Sequence, residues 1–297
     1  MKPAPFEYHA PREVEAALDV LARTGGKVLA GGQSLIPMLN MRLAAPGDLV
    51  DINRVRALDA VETSARGVRV GALARHARVL RAAPVAAVQP LLRQALGLVA
   101  HPAIRSRGTV VGSLVHADPA AELPAVLALL GGSVRLAASG AEREVAAREF
   151  FVGPMESAIR PGELAVSAFF PALGPRAGTA FAEVARRHGD YALAGVCALV
   201  ELDDDLRVSA ARVACIGVGP VPLVVDVAGA CGHRPAATAD WGAAALAVQD
   251  EAEPEADIHA TAEYRRHLLG VLAGRALRAA ARTAGAEAAD EDEGEGG

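Results

Sequence analysis

The stretch "LAGGQSLIPML" (29–39) sets two adjacent glycines between apolar runs. Gly31 and Gly32 permit backbone angles that other residues resist, and they let a ligand approach the main chain. Successive N–H groups in such a loop form an anion-binding concavity, and Ser34 adds a hydroxyl. That chemistry suits a phosphate or a diphosphate. There is no GxGxxG, and no Gly-Lys-Ser/Thr follows, so neither the Rossmann nor the Walker loop is present. Taken alone, the glycine pair is more simply an ordinary turn after a strand.

A second stretch, "RSRGTVVGSLVHADP", carries Gly108, Thr109, Gly112 and Ser113, with Asp118 just beyond. Two glycine and hydroxyl loops, each beside a strand, can close on one diphosphate from two sides. Asp118 followed by Pro119 reads first as an N-cap with proline at N1, and Glu122 falls one turn into that helix. A carboxylate here also suits a ribose hydroxyl. In "ARRHGDYALAG" the Gly-Asp pair is a turn signal, so the stretch is either a charged loop entering a strand or a place where Tyr191 lays a ring against a flat cofactor. The eight histidines are scattered, and the nearest approach to metal-ligand spacing is Cys231-Gly-His233. No GxSxG elbow or nucleophile–base pair stands out.

These residues must be held by regular elements. "PREVEAALDVLARTGG" (11–26) reads as a helix with Val14, Ala17, Leu18 and Leu21 on one face and two glycines ending it. "KVLA" (27–30) and "DLVDINRV" (48–55) read as strands, with a short helix between them ended near Pro46, a compact β-α-β unit. "GVRVGAL" from Gly67 reads as a strand. The helical pattern after it breaks around Pro84 and Pro90. The stretch 101–119 reads as glycine-punctuated loop and short strand, and "AAELPAVLALLGG" as a helix ended by Gly131 and Gly132. Strands around a turn at Gly140 and in "RPGELAVSAFFPAL" complete this half. Beyond Pro175, "YALAGVCALVELDDDLRVSAARVACIGVG" reads as a hairpin around Asp203-Asp204-Asp205, "ADWGAAALAVQDEA" as a helix, and 261–284 as an amphipathic helix with Leu268, Leu269, Leu272 and Leu277 in its stripe. The acidic, glycine-rich end "GAEAADEDEGEGG" (285–297) is expected to be disordered.

With 297 residues, 52% of them hydrophobic, the chain is long enough for two or three packed domains. A net charge of −5 without a basic cluster excludes an electrostatic footprint for nucleic acid. Aromatics at 3% exclude broad stacking platforms. Cys197, Cys215 and Cys231 sit among small apolar residues without CxxC spacing. No apolar leader and no membrane-spanning stretch is apparent, so the expectation is a cytoplasmic protein.

Together the two loops resemble a known family. "LAGGQSLIPMLNMRLAAPGDLVDINRV" followed by "RGTVVGSLVHADPAAELPAVL" is similar to the FAD-binding medium subunit of the molybdenum hydroxylases, the carbon monoxide dehydrogenase and xanthine dehydrogenase family. The resemblance continues through "FFVGPMESAIRPGEL", "ARRHGDYALAGVCA" and "AEYRRHLLGVL", up to about Ala284. It implies a fold of class α/β + α+β: a non-Rossmann, two-subdomain FAD-binding fold of the PCMH/vanillyl-alcohol-oxidase type, at 1–56 and 57–174. A CO-dehydrogenase-flavoprotein-type C-terminal α+β domain follows at 175–284. It implies that Ala30, Gly31, Gly32, Gln33 and Ser34 wrap the FAD diphosphate from one side, and Thr109, Val110, Gly112 and Ser113 from the other. Asp118 and Glu122 fall in the segment near the ribityl and ribose groups, and Tyr191 near the flavin ring.

The implied role is electron transfer from iron–sulfur clusters on a partner, through FAD, to NAD⁺, quinone or oxygen; the chemistry is the cofactor's. The implied partners are a molybdopterin-binding large subunit and a 2Fe–2S small subunit, in a dimer of heterotrimers. The three cysteines are too few and too poorly spaced for a cluster of the chain's own. Two departures stand out. Val111 replaces the first of two glycines usual in the second loop: either it sits in an ordinary β conformation with its side chain turned away, or FAD affinity is reduced. A lysine that some members place near the flavin is not evident in "FAEVARR". Two other readings stay open, a stand-alone FAD-dependent oxidoreductase and an assembly subunit that has lost FAD.

Overall fold

The computed structural model describes residues 1–294, and their side chains through Gly285. The chain begins with β1 (Glu7–His9), α1 (Val14–Thr24), β2 (Lys27–Leu29), α2 (Leu35–Met41) and β3 (Asp48–Asp51). The apolar stripe of α1 buries Ala17, Leu18 and Leu21, and Gly25 ends the helix at φ 62° with its N–H on the Leu21 carbonyl. β1, β3 and β2 form a parallel three-stranded sheet in that order. The expected β-α-β unit is therefore present, widened by a short N-terminal strand. β3 stops at Asp51, earlier than the pattern predicts, because Asp51 Oδ1 accepts from the Asn53 N–H at 2.9 Å and turns the chain.

β4 (Val61–Ser64), β5 (Gly67–Gly71), α3 (His76–Arg81), α4 (Ala83–Val88), α5 (Pro90–Leu98), α6 (Pro102–Arg105), α7 (Val110–His116) and α8 (Glu122–Leu130) follow. Then come β6 (Ser133–Ala138), β7 (Ala141–Ala146), α9 (Ala147–Phe150), β8 (Phe151–Gly153), β9 (Glu156–Ser157) and β10 (Leu164–Pro171). Five of these strands make an antiparallel sheet in the order β4-β5-β10-β6-β7. The stretch 101–119 corrects the sequence expectation, because α6 and α7 replace loop and strand. Val110 and Val111 favour strands by propensity, yet they are 0% and 2% exposed in the core. Burial of that pair, with Thr109 as N-cap accepting from the Gly112 N–H at 3.1 Å, outweighs propensity. α8 starts at Glu122 with Ala121 as its cap, so Asp118 is not the N-cap. Its Oδ1 instead accepts from the Ala120 N–H at 2.9 Å in a turn before the helix.

The last part holds β11 (Ala177–Ala185), β12 (Ala192–Leu202), β13 (Val208–Ile216), β14 (Leu223–Asp226), α10 (Ala228–Cys231), α11 (Trp241–Glu251) and α12 (Ala262–Gly294). Its sheet runs β11-β12-β13-β14, all antiparallel. The β12–β13 hairpin turns where the acidic triplet predicts, with Asp203 Oδ1 accepting from the N–H groups of Asp205 and Arg207. Both faces of this sheet are covered. Val196, Ala198, Val200, Val213 and Cys215 pack under α11 and α12, while Cys197, Leu199, Ala214 and Ile216 join the core of the preceding half. That explains the nearly unbroken apolar run in β12, where a half-buried strand would alternate. The segment expected to be disordered from residue 285 continues as helix to Gly294, since extending a docked helix costs far less than starting one. Residues 295–297 of that expected tail lie outside the described residues.

Candidate functional site

The two glycine loops meet. A Cβ placed on Gly31 would lie 2.5 Å from the Arg107 carbonyl oxygen and 2.8 Å from the Gly108 Cα, so only glycine lets the main chains touch. Gly32 follows at φ 74°, and the chain enters α2 through Ser34. Gln33 donates from Nε2 to the Gly31 carbonyl at 3.2 Å. Ala30 to Ser34 are all half-buried. Among the described residues, none of the N–H groups of Gly31, Gly32, Gln33 and Ser34 finds a protein acceptor, and the Ser34 hydroxyl is free as well.

On the other side, the Val110 N–H goes to the Ala74 carbonyl at 3.2 Å and the Ser113 N–H to Thr109 at 3.0 Å. The Gly112 N–H goes to the Thr109 hydroxyl, and a Cβ on Gly112 would sit 2.5 Å from that oxygen. The N–H groups of Thr109 and Val111 are left without a protein acceptor. Val111 is helical, with its side chain in the core. Its backbone is not the β conformation weighed from the sequence, yet its bulk does point away from the loop's open side.

Three carboxylates and a phenol gather where the halves of the chain join. Burial pushes the Glu122 carboxyl up to about 8, with Glu183 and Asp118 adding to the effect. Burial pushes Glu183 up to about 7, and its Oε2 has no hydrogen-bond partner. Tyr191 is 67% exposed, yet its hydroxyl is raised by desolvation, Asp118 and Glu122. The Gly217 N–H donates to the Pro119 carbonyl at 2.9 Å, and Arg265 donates to the carbonyls of Gly217 and Leu193. That network pins the segment carrying Asp118 to the C-terminal sheet.

Sequence reading missed several polar groups around these loops. Asn53, Arg75, Asp51 and Tyr8 form one hydrogen-bonded set behind the first loop, and Glu183 faces the acidic cluster. The signals were slight: an Asx pair at the end of a parallel strand, where such sheets place ligands, and one acid in an apolar strand. Also unforeseen was His76, buried beneath Gly108 with neither ring nitrogen bonded and its pKa pushed by burial down to about 4.

The arrangement offers unpaired backbone donors from two sides, with Glu122 and Glu183 beyond them, whose carboxyls burial raises to about 8 and about 7. That donor set fits a diphosphate flanked by hydroxyl-bearing groups. Among the described residues, no group of three or more His, Cys, Asp or Glu could hold a metal ion. The thiols of Cys215 and Cys231 are pushed by burial up to about 12 and about 11, and Cys197 is raised as well, so none is poised as a nucleophile. No helix of the described residues is long and apolar enough to cross a membrane.

Known families cover the chain. The FAD binding domain in molybdopterin dehydrogenase matches residues 4–173, and the CO dehydrogenase flavoprotein C-terminal domain matches residues 179–280. The chain is 40% identical over 280 residues to 6-hydroxypseudooxynicotine dehydrogenase complex subunit alpha of Paenarthrobacter nicotinovorans, across 93% of this chain and 95% of that one. It is 34% identical to the carbon monoxide dehydrogenase medium chain of Hydrogenophaga pseudoflava, across 94% and 98%. Among solved structures, quinoline 2-oxidoreductase from Pseudomonas putida 86 superposes with a TM-score of 0.88 at 35% identity, across 96% of this chain and 99% of that one. The expected architecture, a two-subdomain FAD-binding fold followed by a CO-dehydrogenase-flavoprotein C-terminal domain, is the fold of this chain.

Proposed function

This chain belongs to the FAD-binding medium-subunit family of the molybdenum hydroxylases, and from that premise we propose that it carries electrons from partner iron–sulfur clusters through FAD to an external acceptor. The bound flavin supplies the step between one-electron donors and a two-electron acceptor. The chain's own residues bind and orient it. The free N–H groups of Gly31, Gly32, Gln33 and Ser34 face one side of the diphosphate; Thr109, Val110, Gly112 and Ser113 form the other wall, with Ala30 at the entry. Asp118 and Glu122 take hydroxyls of the ribityl and ribose chains, and Tyr191 covers the ring. Burial raises the Glu122 carboxyl to about 8, which favours the protonated form that can donate as well as accept there.

The same reading places a molybdopterin-binding large subunit and a 2Fe–2S small subunit beside this chain, as a dimer of heterotrimers in the cytoplasm. It divides the FAD-binding part at 56/57 and sets it off from the C-terminal domain at 174/175. The observation that carries it is the backbone contact of two glycine loops, the first of which leaves the N–H groups of Gly31 to Ser34 unpaired. Burial of the Val111 side chain removes the one feature that favoured a subunit without FAD.

The test is an absorbance spectrum of the purified chain before and after dithionite. A flavin spectrum that bleaches, with FAD released on denaturation, is the expected result. A colourless protein that refuses added FAD would overturn the proposal.

A further inference from the structure

Two main-chain carbonyls that bracket the loop contact are held by one pair of side chains. Asn53 Nδ2 donates to the Ala30 carbonyl at 2.8 Å. Arg75 donates from Nη2 to Asn53 Oδ1 at 2.6 Å and from Nη1 to the Arg107 carbonyl. That Arg107 oxygen is the atom against which Gly31 packs. Asn53 is itself fixed from behind: its Nδ2 and backbone N–H both reach Asp51 Oδ1, and the Tyr8 hydroxyl donates to Asp51 Oδ2 at 2.5 Å. For Asp51, burial works upward, but the hydrogen bonds from Tyr8 and Asn53 hold its carboxyl below the usual range, so the anchor stays ionised.

In a trans peptide the carbonyl and the N–H point opposite ways. The Ala30 carbonyl shares its peptide plane with the Gly31 N–H. Tying that carbonyl back to Asn53 therefore aims the Gly31 N–H outward, where it has no protein acceptor. The Arg107–Gly108 peptide is fixed at both ends, by Arg75 at the carbonyl and by the Ile104 carbonyl at the Gly108 N–H, 2.8 Å away. Resting on the FAD reading above, we propose that Asn53 and Arg75 are a strap that sets the spacing of the two glycine loops and aims the Gly31 N–H at the FAD diphosphate, without themselves touching the ligand.

The strap is a positioning device, so its signature is selective. The full-length chain freed of flavin is titrated with FAD, with ADP as a competitor carrying the diphosphate, and with riboflavin, which lacks it. Asn53→Ala and Arg75→Gln each weaken FAD and ADP by about tenfold, the loss expected for one misaimed charge-assisted contact. Riboflavin binding and the melting temperature of the flavin-free chain stay near wild type. Because Arg75 bonds Asn53, the two losses overlap, and the double variant is weakened by less than the product of the two single effects. If Asn53→Ala fails to fold, Arg75→Lys carries the test: it keeps the charge, gives up one of the two acceptors and loses part of the same affinity. Variants that bind ADP as wild type does, or that lose ADP and riboflavin alike, overturn the strap. A wild type that binds neither FAD nor ADP overturns the FAD reading beneath it.

Discussion

The two glycine loops carry the same kind of sequence and are built in opposite ways. In the first, Gly31 exists to admit another stretch of main chain, and the following N–H groups are left free on a half-buried surface. In the second, Gly112 exists to admit the Thr109 hydroxyl, and most first-turn donors are spent inside a buried helix. Glycine beside a hydroxyl residue thus states that something must come close, but not whether it is backbone, side chain or ligand. The first loop leaves its donors open, and the second is the rigid surface it rests on.

Gly31→Val is the most direct way to break that comparison. The new side chain meets backbone atoms of Arg107 and Gly108 that cannot rotate aside, so the loops separate. FAD affinity is expected to fall about a hundredfold, read by fluorescence titration. A valine there that leaves binding intact would mean that the contact does not shape the site.

Val111→Gly tests the other wall. It restores the glycine pair usual in the family, yet the structure gives no reason for tighter binding, because the valine side chain lies in the core. The expected result is a loss of about 3 kcal/mol of stability, from an emptied core position plus glycine in a helix, measured by denaturant unfolding. FAD affinity stays the same within about twofold. A gain in affinity would show that Val111 obstructs the diphosphate after all. Gly112→Ala is a milder change on the same wall. Its Cβ displaces the Thr109 hydroxyl from the Gly112 N–H, costing about 1 kcal/mol of stability as a lost N-cap.

The contrast between the loops also marks what the sequence could show. Elements whose causes are local were legible. The α1 stripe ends at glycines, the β12–β13 hairpin turns at the acidic triplet, and α8 stops at Gly131. The helix at Val110–His116 was not, because its two valines argue for a strand until the core that swallows them is known. Strand β11 was hidden by small residues and one acid, and β1 by its length. Of the candidate site, the motif located the loop whose N–H groups are left free, Gly31 to Ser34. The strap could not, since Asn53 and Arg75 carry no motif and meet only when β3 and α3 are packed together. Glu183 was likewise unmarked, since its partner Glu122 comes from the other half of the chain.

The pH dependence of the flavin-free chain separates the acidic join from the second loop by the smallest effect. Glu122 and Glu183, at the join of the two halves, have carboxyls raised to about 8 and about 7. The folded chain therefore holds protons that the unfolded chain has released. Their contribution is full below the ordinary glutamate range and is lost as pH rises from there through about 8. His76, beneath the second loop, is lowered to about 4. The unfolded chain takes up its proton first, so this contribution is full above the ordinary histidine range and is lost as pH falls toward about 4. The acids at the join weaken the protein on the alkaline side, and the histidine beneath the second loop weakens it on the acid side. Melting temperatures from pH 5 to 9 should show both slopes. Glu183→Gln should flatten the alkaline one and leave the acid one untouched, because the amide keeps the shape and gives up the proton. The effect is modest, since both residues keep part of their surface exposed and solvent screens them in part. An alkaline slope that survives both Glu122→Gln and Glu183→Gln would mean that the join between the halves is held by something other than these protons.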